Sequence, residues 1–278
     1  MAVGGTVVVT GASSGIGEAT ARALAQAGFD VLAGVRSEAD AEQAGDLHAR
    51  VEPVTVDVTD EQTVGELAER VGDRPLAGLV NNAGISVSGP LEFVPLDEWR
   101  RQLEVNVLGQ VAVTQALLPA IRRARGRIVN VSSVGGRVAV PLLGPYNASK
   151  FALEGISDSL RRELRPLGVH VAVVEPGAIA TRIWEKGTAA ADETLAAAPP
   201  QAEEVYGPTI EAVRAQARQA AERAIPPEEV ARAVEHALTA AKPRIRYPVG
   251  RDAKQRIRLA GLIPDRAFDA LMARAMRT

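Results

Sequence analysis

Cysteine is absent from this chain of 278 residues, and aromatic side chains are scarce at 3%. Without cysteine the chain forms neither disulfide bonds nor thiolate metal sites. The three histidines, His48, His170 and His236, are scattered without the spacing of metal ligands. We therefore expect no metal centre and interpret these histidines as ordinary surface or packing residues.

Long apolar runs and an excess of one charge are also missing. There is no stretch of 18 or more apolar residues to span a membrane, so we expect no integral membrane segment. Lys+Arg 32 against Asp+Glu 34 leaves a net charge of -2, which is not the basic footprint of a nucleic-acid-binding protein. The chain opens on a strand-like segment without a positively charged leader. These features predict a cytoplasmic protein with no nucleic-acid partner.

The hydrophobic content of 46% suffices for the core of one large domain. Residues 5–10 form a β-branched run, residues 11–17 a glycine turn, and residues 18–27 a helix that leads to a buried strand over 29–35. The same alternation predicts strands over 51–57, 76–81, 127–133, 169–175 and 244–249, and helices over 61–71, 96–123, 145–166 and 227–238. Strands that alternate with helices indicate an α/β, doubly wound, Rossmann-type parallel sheet with helices on both faces.

Two segments depart from this alternation. Residues 182–226 contain helical stretches with no strand between them, and we interpret them as a lid over a substrate site. Residues 251–278 form a basic amphipathic tail that we expect to pack on its own domain or on a neighbouring subunit. Residues 1–278 are therefore predicted to be a single domain.

Three glycines, Gly11, Gly15 and Gly17, occupy the turn between the first strand and the first helix. In a doubly wound sheet a nucleotide binds at this turn, where small residues admit the pyrophosphate and the helix N-terminus favours its charge. The spacing is G-x-x-x-G-x-G and differs from the general G-x-G-x-x-G fingerprint. The alternative is a tight turn without a ligand.

The end of the second strand discriminates between the two nicotinamide cofactors. An acid there would bind the ribose 2′-hydroxyl, whereas a basic residue would accept a 2′-phosphate. Gly34 and Val35 carry no charge, and Arg36 follows them with Ser13 or Ser37 available to help. NADP(H) is therefore favoured over NAD(H), although Arg36 beside Glu38 would also suit a solvated strand end.

Tyr146 and Lys150 lie four residues apart in a predicted helix and share one face. A cation beside a phenol stabilises the phenolate and lowers a pKa that is about 10 in isolation. Such a pair transfers a proton to or from a substrate oxygen. Ser133 precedes Tyr146 by thirteen residues, and Ser132 is the alternative at that strand end.

These motifs occur in a characteristic order along the chain, together with Asp57-Val58, Asn81-Asn-Ala-Gly84, Asn106 and Pro176-Gly177. In this order the chain resembles the short-chain dehydrogenase/reductase family between residues 7 and 181. The resemblance implies that Tyr146 is the general acid/base and that Ser133 hydrogen-bonds the substrate oxygen. It also implies that Lys150 binds the nicotinamide ribose, and that Asn106 interrupts its helix and holds a water for a proton relay.

The resemblance further implies which residues contact the cofactor. They are Gly11, Ser13, Ser14, Gly15, Ile16, Gly17, Arg36, Asp57, Val58, Asn82, Ala83, Gly84, Tyr146, Lys150, Pro176, Gly177 and Thr181. For Asn81 and Asn82, hydrogen bonding at the strand end that stabilises the sheet is an equal alternative to direct cofactor contact.

The expected substrate is a bulky apolar carbonyl compound or secondary alcohol. Residues 134–145 form a mostly apolar wall whose only charge is Arg137. Leu142 and Leu143 in this wall, together with Trp184 in the lid, are the predicted substrate contacts beside Ser133. The C-terminal part also resembles the steroid and retinoid dehydrogenase branch of the family.

Two other functions stay open. One is a 3-oxoacyl-type reductase that acts on a carrier-protein thioester, for which Arg214, Arg218 and Arg223 would offer a docking patch. The other is a non-catalytic NADP-sensing protein, although such a protein would be expected to lose Ser133, Tyr146 or Lys150. The resemblance also implies a homodimer or homotetramer.

Overall fold

The computed structural model describes residues 4–181 and 199–275. Seven parallel strands form one sheet in the order β3-β2-β1-β4-β5-β6-β7. The strands are β1 Thr6–Thr10, β2 Asp30–Val35, β3 Val51–Thr55, β4 Leu76–Asn81, β5 Arg127–Val131, β6 His170–Pro176 and β7 Arg246–Val249. The predicted parallel sheet is confirmed, and β7 is its edge strand as expected.

Ten α-helices occur in the described part of the chain. They are α1 Gly15–Gln26, α2 Glu38–Gly45, α3 Glu61–Val71, α4 Leu96–Leu103, α5 Gly109–Ala124, α6 Gly144–Leu164, α7 Gln201–Glu222, α8 Glu228–Thr239, α9 Arg251–Ala260 and α10 Asp265–Ala275. No helix within the described ranges is long and apolar enough to cross a membrane.

Helices cover both faces of the sheet because alternate side chains of each strand point to opposite sides. In β1, Val7 and Val9 pack into a core with α1 and α8, whereas Val8 packs into a second core with α3 and α5. Both faces are therefore buried, which explains why the strands read as continuous apolar runs. The carboxyl ends of the strands meet along one edge and leave a crevice there.

The expected helix over residues 96–123 is interrupted. A π-helical turn, Glu104–Leu108, separates α4 from α5, as the resemblance implied for Asn106. Such a turn inserts an extra residue into the helical hydrogen-bond pattern and occurs frequently at functional sites. It turns the fully buried Asn106 inward.

Helix α2 was missed by the sequence analysis. Its signal was Ser37, whose hydroxyl oxygen accepts a hydrogen bond from Asp40 N at 3.2 Å and caps the helix. Serine followed by acidic residues is an ordinary helix start. The Ser37 hydroxyl, considered above for a 2′-phosphate, therefore has a local structural role.

Replacement of Leu79 by Ala tests the second core. Leu79 is 0% exposed in the central strand β4, so we expect a loss of about 2–5 kcal/mol in unfolding free energy. Leu262→Ala is the matched control because Leu262 is 78% exposed, and its effect should stay within about 0.5 kcal/mol. Denaturant unfolding of both variants measures the difference, and equal losses would contradict this packing.

Candidate active site

The glycine turn between β1 and α1 is held by close backbone packing. A side chain on Gly17 would place its Cβ 2.1 Å from the Gly11 carbonyl oxygen, and one on Gly11 would approach Ala83 Cα to 2.8 Å. Gly11 and Gly15 have φ values of +64° and +58°, which glycine adopts at little cost. The N-cap residue Ser14 makes no side-chain capping bond, so the first amides of α1 stay available to an anion.

Asn82 fixes this turn to the end of β4. Its Nδ2 donates to the carbonyl oxygens of Thr10 and Gly11, both at 3.0 Å. Thr10 Oγ1 in turn accepts from Asn82 N at 3.0 Å and Ala83 N at 3.1 Å. Of the two roles left open for Asn82, the structure shows the hydrogen bonding at the sheet edge.

Arg36 and Asp57 follow the neighbouring strands β2 and β3. Asp57 Oδ1 accepts from Thr59 N at 2.9 Å and from Thr59 Oγ1 at 2.7 Å. Burial would raise the pKa of Asp57, but these hydrogen bonds and the charge of Arg36 outweigh it and hold the pKa below its usual value. Arg36 is exposed, whereas Val58 is buried against the start of α5 at Gly109.

Asn106 connects the segment after β4 to α6. Its Oδ1 accepts from Ile85 N at 2.8 Å, and its Nδ2 donates to Ile85 O at 3.0 Å and to Ser149 Oγ at 3.1 Å. Ser149 Oγ donates to Tyr146 O at 2.7 Å. Neither Ile85 nor Ser149 was identified from the sequence, although Ser149 lies inside the Tyr146–Lys150 motif. The proton-relay role of Asn106 stays a prediction.

Ser133, Tyr146 and Lys150 converge at the carboxyl end of β5. Ser133 caps a short 3₁₀ turn, Val134–Gly136, by accepting from Gly135 N at 3.0 Å, and its hydroxyl and the Tyr146 ring both lie against Gly135. Lys150 Nζ donates to Val131 O at 2.9 Å and lies 5.8 Å from the centre of the Tyr146 ring. Ser132 Oγ is buried without a partner in the described part of the chain.

The expected lowering of the Tyr146 pKa is wrong for this structure. Burial raises its pKa above the ordinary value, and the hydrogen bond with Ser133 offsets this only in part. Burial also lowers the pKa of Lys150 to about 8, against the opposing effect of Glu154. At neutral pH the site therefore holds a protonated phenol next to a largely charged lysine.

A pocket of about 280 Å³ lies over these groups. The predicted substrate residues Leu142 and Leu143 line it, and apolar side chains of α7 close the opposite side. Leu142 has a φ of +63°, an arrangement that costs about 1–3 kcal/mol and is concentrated at functional sites. Trp184 lies outside the described residues. The α7 contributions, Ile210, Val213 and Ala217, were not identified from the sequence.

The predicted residues divide into three groups around this pocket. Those that line it are Ile16, Asn82, Gly84, Ser133, Leu142, Leu143, Tyr146, Lys150, Pro176, Gly177 and Thr181. Gly11, Ser13, Ser14, Gly15, Gly17, Ala83 and Asn106 support it from the glycine turn, the end of β4 and the π-helical turn. Arg36, Asp57 and Val58 lie outside its lining, at the ends of β2 and β3.

Arg137 is turned away from the pocket. Its guanidinium pairs with Glu175 Oε1 at 3.0 Å, and neighbouring apolar residues of the same wall, Val138 and Val140, line the cavity instead. The charge of Arg137, expected in the substrate wall, is thus neutralised by an ion pair with Glu175. Within the segment 134–145, only apolar residues line the pocket.

Known proteins resemble this chain in sequence and fold. A family profile described as short chain dehydrogenase matches residues 5–192. The chain belongs to the short-chain dehydrogenase/reductase family. Retinol dehydrogenase 5 from Mus musculus is 40% identical over 279 residues, covering 96% of this chain and 87% of the mouse protein. This similarity supports the retinoid and steroid branch inferred from the C-terminal part.

Solved structures of the family contain either cofactor. A short-chain dehydrogenase from Burkholderia cenocepacia in complex with NADP is 31% identical with a TM-score of 0.75, covering 99% of both chains. One from Burkholderia phymatum in complex with NAD is 25% identical with a TM-score of 0.78, covering 92% of both chains. The dehydrogenase fold thus binds nicotinamide cofactors. The open glycine turn and the uncapped start of α1 fit such a group in this chain.

Gly17→Ala tests whether this dehydrogenase needs the close packing at its glycine turn. The added Cβ would collide with Gly11 O and with Asn82 Nδ2, so the turn must open. We expect the affinity for a nicotinamide cofactor to fall by about tenfold or more, equivalent to ~1.4 kcal/mol. Fluorescence titration with NADPH and with NADH measures it.

Gly65→Ala is the control for this variant. Gly65 lies inside α3, and a Cβ there would meet nothing within 4 Å. Alanine in a helix interior should stabilise the fold by roughly 0.5–1 kcal/mol and leave cofactor binding unchanged. Normal NADPH binding by Gly17→Ala would show that the turn tolerates a side chain.

Proposed function

We propose that the protein is an NADP(H)-dependent oxidoreductase that interconverts a bulky apolar carbonyl compound and its secondary alcohol. The observation that carries this proposal is the convergence of Ser133, Tyr146 and the buried Lys150 on one largely apolar pocket. The similarity to a protein named retinol dehydrogenase supports an apolar alcohol such as a retinoid or steroid. Polyketide-like and aromatic substrates fit the same pocket chemistry.

The side chains divide the proton chemistry among them. A nicotinamide cofactor held at the glycine turn would supply or accept the hydride at the substrate carbon. Ser133 and Tyr146 lie close enough to each other to bind the same substrate oxygen. Because the pKa of Tyr146 is raised by burial, Tyr146 is protonated at neutral pH and donates its proton to the oxygen during reduction. In oxidation Tyr146 must first lose its proton, and the phenolate oxygen would then accept the hydroxyl proton of the alcohol.

Lys150 supports this transfer by its charge. When Tyr146 gives up its proton, a phenolate is left in a buried site, which is costly without a nearby cation. The ammonium of Lys150, 5.8 Å from the ring centre, reduces that cost. Its bond to Val131 O at 2.9 Å keeps the ammonium at the strand end rather than in solvent.

The apolar wall supports a bulky substrate. Val134, Val138, Leu142 and Leu143 come from the segment before α6, and α7 contributes further apolar side chains. Burial of such surface contributes about 25 cal/mol per Å², so a large apolar compound gains more than a small one. The lid over 182–226 and the tail over 251–278 are part of this proposal, because α7 and α9 both border the pocket.

The proposal also includes the oligomeric state and the cellular location of the protein. A homodimer or homotetramer and a cytoplasmic location stay predictions. The carrier-thioester reductase and the cofactor sensor are alternatives, and a panel of substrates discriminates between them and the main proposal.

Tyr146→Phe tests the chemistry. Loss of the hydroxyl removes the proton donor, so turnover should fall by about 10²–10⁴-fold while NADPH affinity stays within about threefold, or ~0.7 kcal/mol. The assay follows NADPH oxidation with retinoid, steroid, aromatic and β-ketoacyl thioester carbonyls. Preference for the thioester would favour the carrier-protein alternative.

Tyr247→Phe is the matched control. Tyr247 is buried in β7, where its hydroxyl oxygen accepts from Arg244 N at 2.8 Å, away from the pocket lining. Its loss should affect stability by about 1 kcal/mol and leave turnover largely intact. If wild type and Tyr146→Phe turn over every substrate equally, Tyr146 is not the proton donor.

Arg36→Ala tests the preference for the phosphorylated cofactor. A charge-assisted hydrogen bond contributes about 1.5–3 kcal/mol, so NADP(H) affinity should fall by about 10–100-fold while NAD(H) affinity changes little. Arg50→Ala is the control, because exposed Arg50 pairs with Asp30 at 2.8 Å at the opposite end of the strands. Tighter binding of NAD(H) than NADP(H) by the unmodified protein would overturn this assignment.

A further inference from the structure

A network of ion pairs lies beneath helix α6 and connects three elements. Arg246 of β7 contacts Glu154 Oε2 of α6 at 3.1 Å, Asp158 Oδ1 of α6 at 3.1 Å and Glu175 Oε1 of β6 at 3.4 Å. Glu175 also accepts from Arg137, which follows the 3₁₀ turn. The network is largely inside the protein, where unpaired charges are costly.

Glu154 is the member of this network nearest to the proposed proton donor and its lysine. It follows Lys150 by four residues in α6, so the two side chains share one face of the helix. Lys150 is 5% exposed and Glu154 is 6% exposed. Arg246 binds Glu154 Oε2, whereas Oε1 is buried with no hydrogen-bond partner among the described residues.

We propose that Glu154 is a positioning residue for the proposed reaction, a buried carboxylate anchored by Arg246 that keeps Lys150 charged beside Tyr146. The inference rests on the proposed function only for its consequence in turnover. A carboxylate inside the protein needs a cation to stay ionised, and Arg246 provides it through one oxygen. Because Glu154 and Lys150 share one face of α6, the negative charge of Glu154 favours the charged form of Lys150.

The charges around Lys150 support this role. Burial pushes the pKa of Lys150 down to about 8, and the charge of Glu154 acts against this effect. From other elements, Arg246 contacts Glu154 and Arg137 pairs with Glu175. Burial together with the charge of Glu154 raises the pKa of Glu175. On α6 itself the remaining titratable neighbours are Tyr146 and Asp158.

The network also allows the charge of Glu154 to be removed without leaving Arg246 unpaired. Arg246 has three carboxylate partners, so Glu154→Gln leaves it paired with Glu175 and Asp158. Glutamine retains the size of the side chain and removes only its charge. Asp158→Asn is the matched control because it removes another carboxylate from the same arginine, one helical turn farther from Lys150.

The first experiment titrates Lys150 directly, without turnover. The chain has four lysines, Lys150, Lys186, Lys242 and Lys254, so NMR of protein labelled with ¹³Cε-lysine gives few signals, and Lys150→Met assigns the relevant one. We expect a Lys150 midpoint near about 8, lowered by roughly one pH unit in Glu154→Gln and unchanged in Asp158→Asn. Equal midpoints in wild type and Glu154→Gln would overturn the inference.

The second experiment follows the consequence for the reaction. Turnover should decline as pH rises through the Lys150 pKa, because the ammonium loses its charge, and Glu154→Gln should decline at a pH lower by roughly one unit. Glu154→Asp retains the charge and should recover most of the wild-type profile. If turnover of Glu154→Gln falls equally at all pH values and its pH profile keeps the wild-type midpoint, the role of Glu154 is merely structural.

The two experiments separate the two proposals. If wild type reduces no carbonyl on the panel but the Lys150 midpoint still shifts in Glu154→Gln, the proposed function fails and the inference about Glu154 stands. If carbonyl reduction occurs and the midpoint does not shift, the proposed function stands and the role of Glu154 is rejected.

Discussion

A lysine ammonium held inside the protein at the carboxyl edge of the sheet is the constraint on which the site depends. Lys150 reaches Val131 O, the last carbonyl of β5, at 2.9 Å. A buried cation requires such partners because its removal from water is costly. The charge of the buried Glu154 opposes the desolvation of Lys150, and Arg246 pairs with Glu154. Tyr146 is placed over the pocket by the same helix.

Asparagine side chains form hydrogen bonds between the elements that surround Lys150. Asn82 connects β4 to the glycine turn, and Asn106 connects the π-helical turn to Ile85 and Ser149. In the core of the sheet, Asn81 Nδ2 donates to Thr114 Oγ1 and Asn130 Oδ1, both at 2.9 Å. An amide both donates and accepts, so it binds two backbone or side-chain partners at once. These hydrogen bonds connect the glycine turn, the end of β4, the π-helical turn and α6.

The geometry also determines in which protonation state the site rests. The sequence pattern Tyr-x-x-x-Lys predicts an acidified phenol, since it places a cation one helical turn away. In the folded protein, burial raises the pKa of Tyr146 and lowers that of Lys150. Desolvation therefore outweighs the opposing effects of Ser133 on Tyr146 and of Glu154 on Lys150. A resting phenol suits proton donation to a carbonyl oxygen, which is the direction that NADPH supports.

The sequence by itself determined the alternation of strands and helices, the glycine turn and the shared helix face of Tyr146 and Lys150. These follow from local periodicity, glycine placement and spacing along one helix. Only the tertiary structure decided that Asn82 holds Gly11, 71 residues away, that Arg137 turns to Glu175, and that α7 closes the pocket. The physical reason is that side-chain direction and burial depend on contacts between segments remote in sequence. Local patterns carry no information on such contacts.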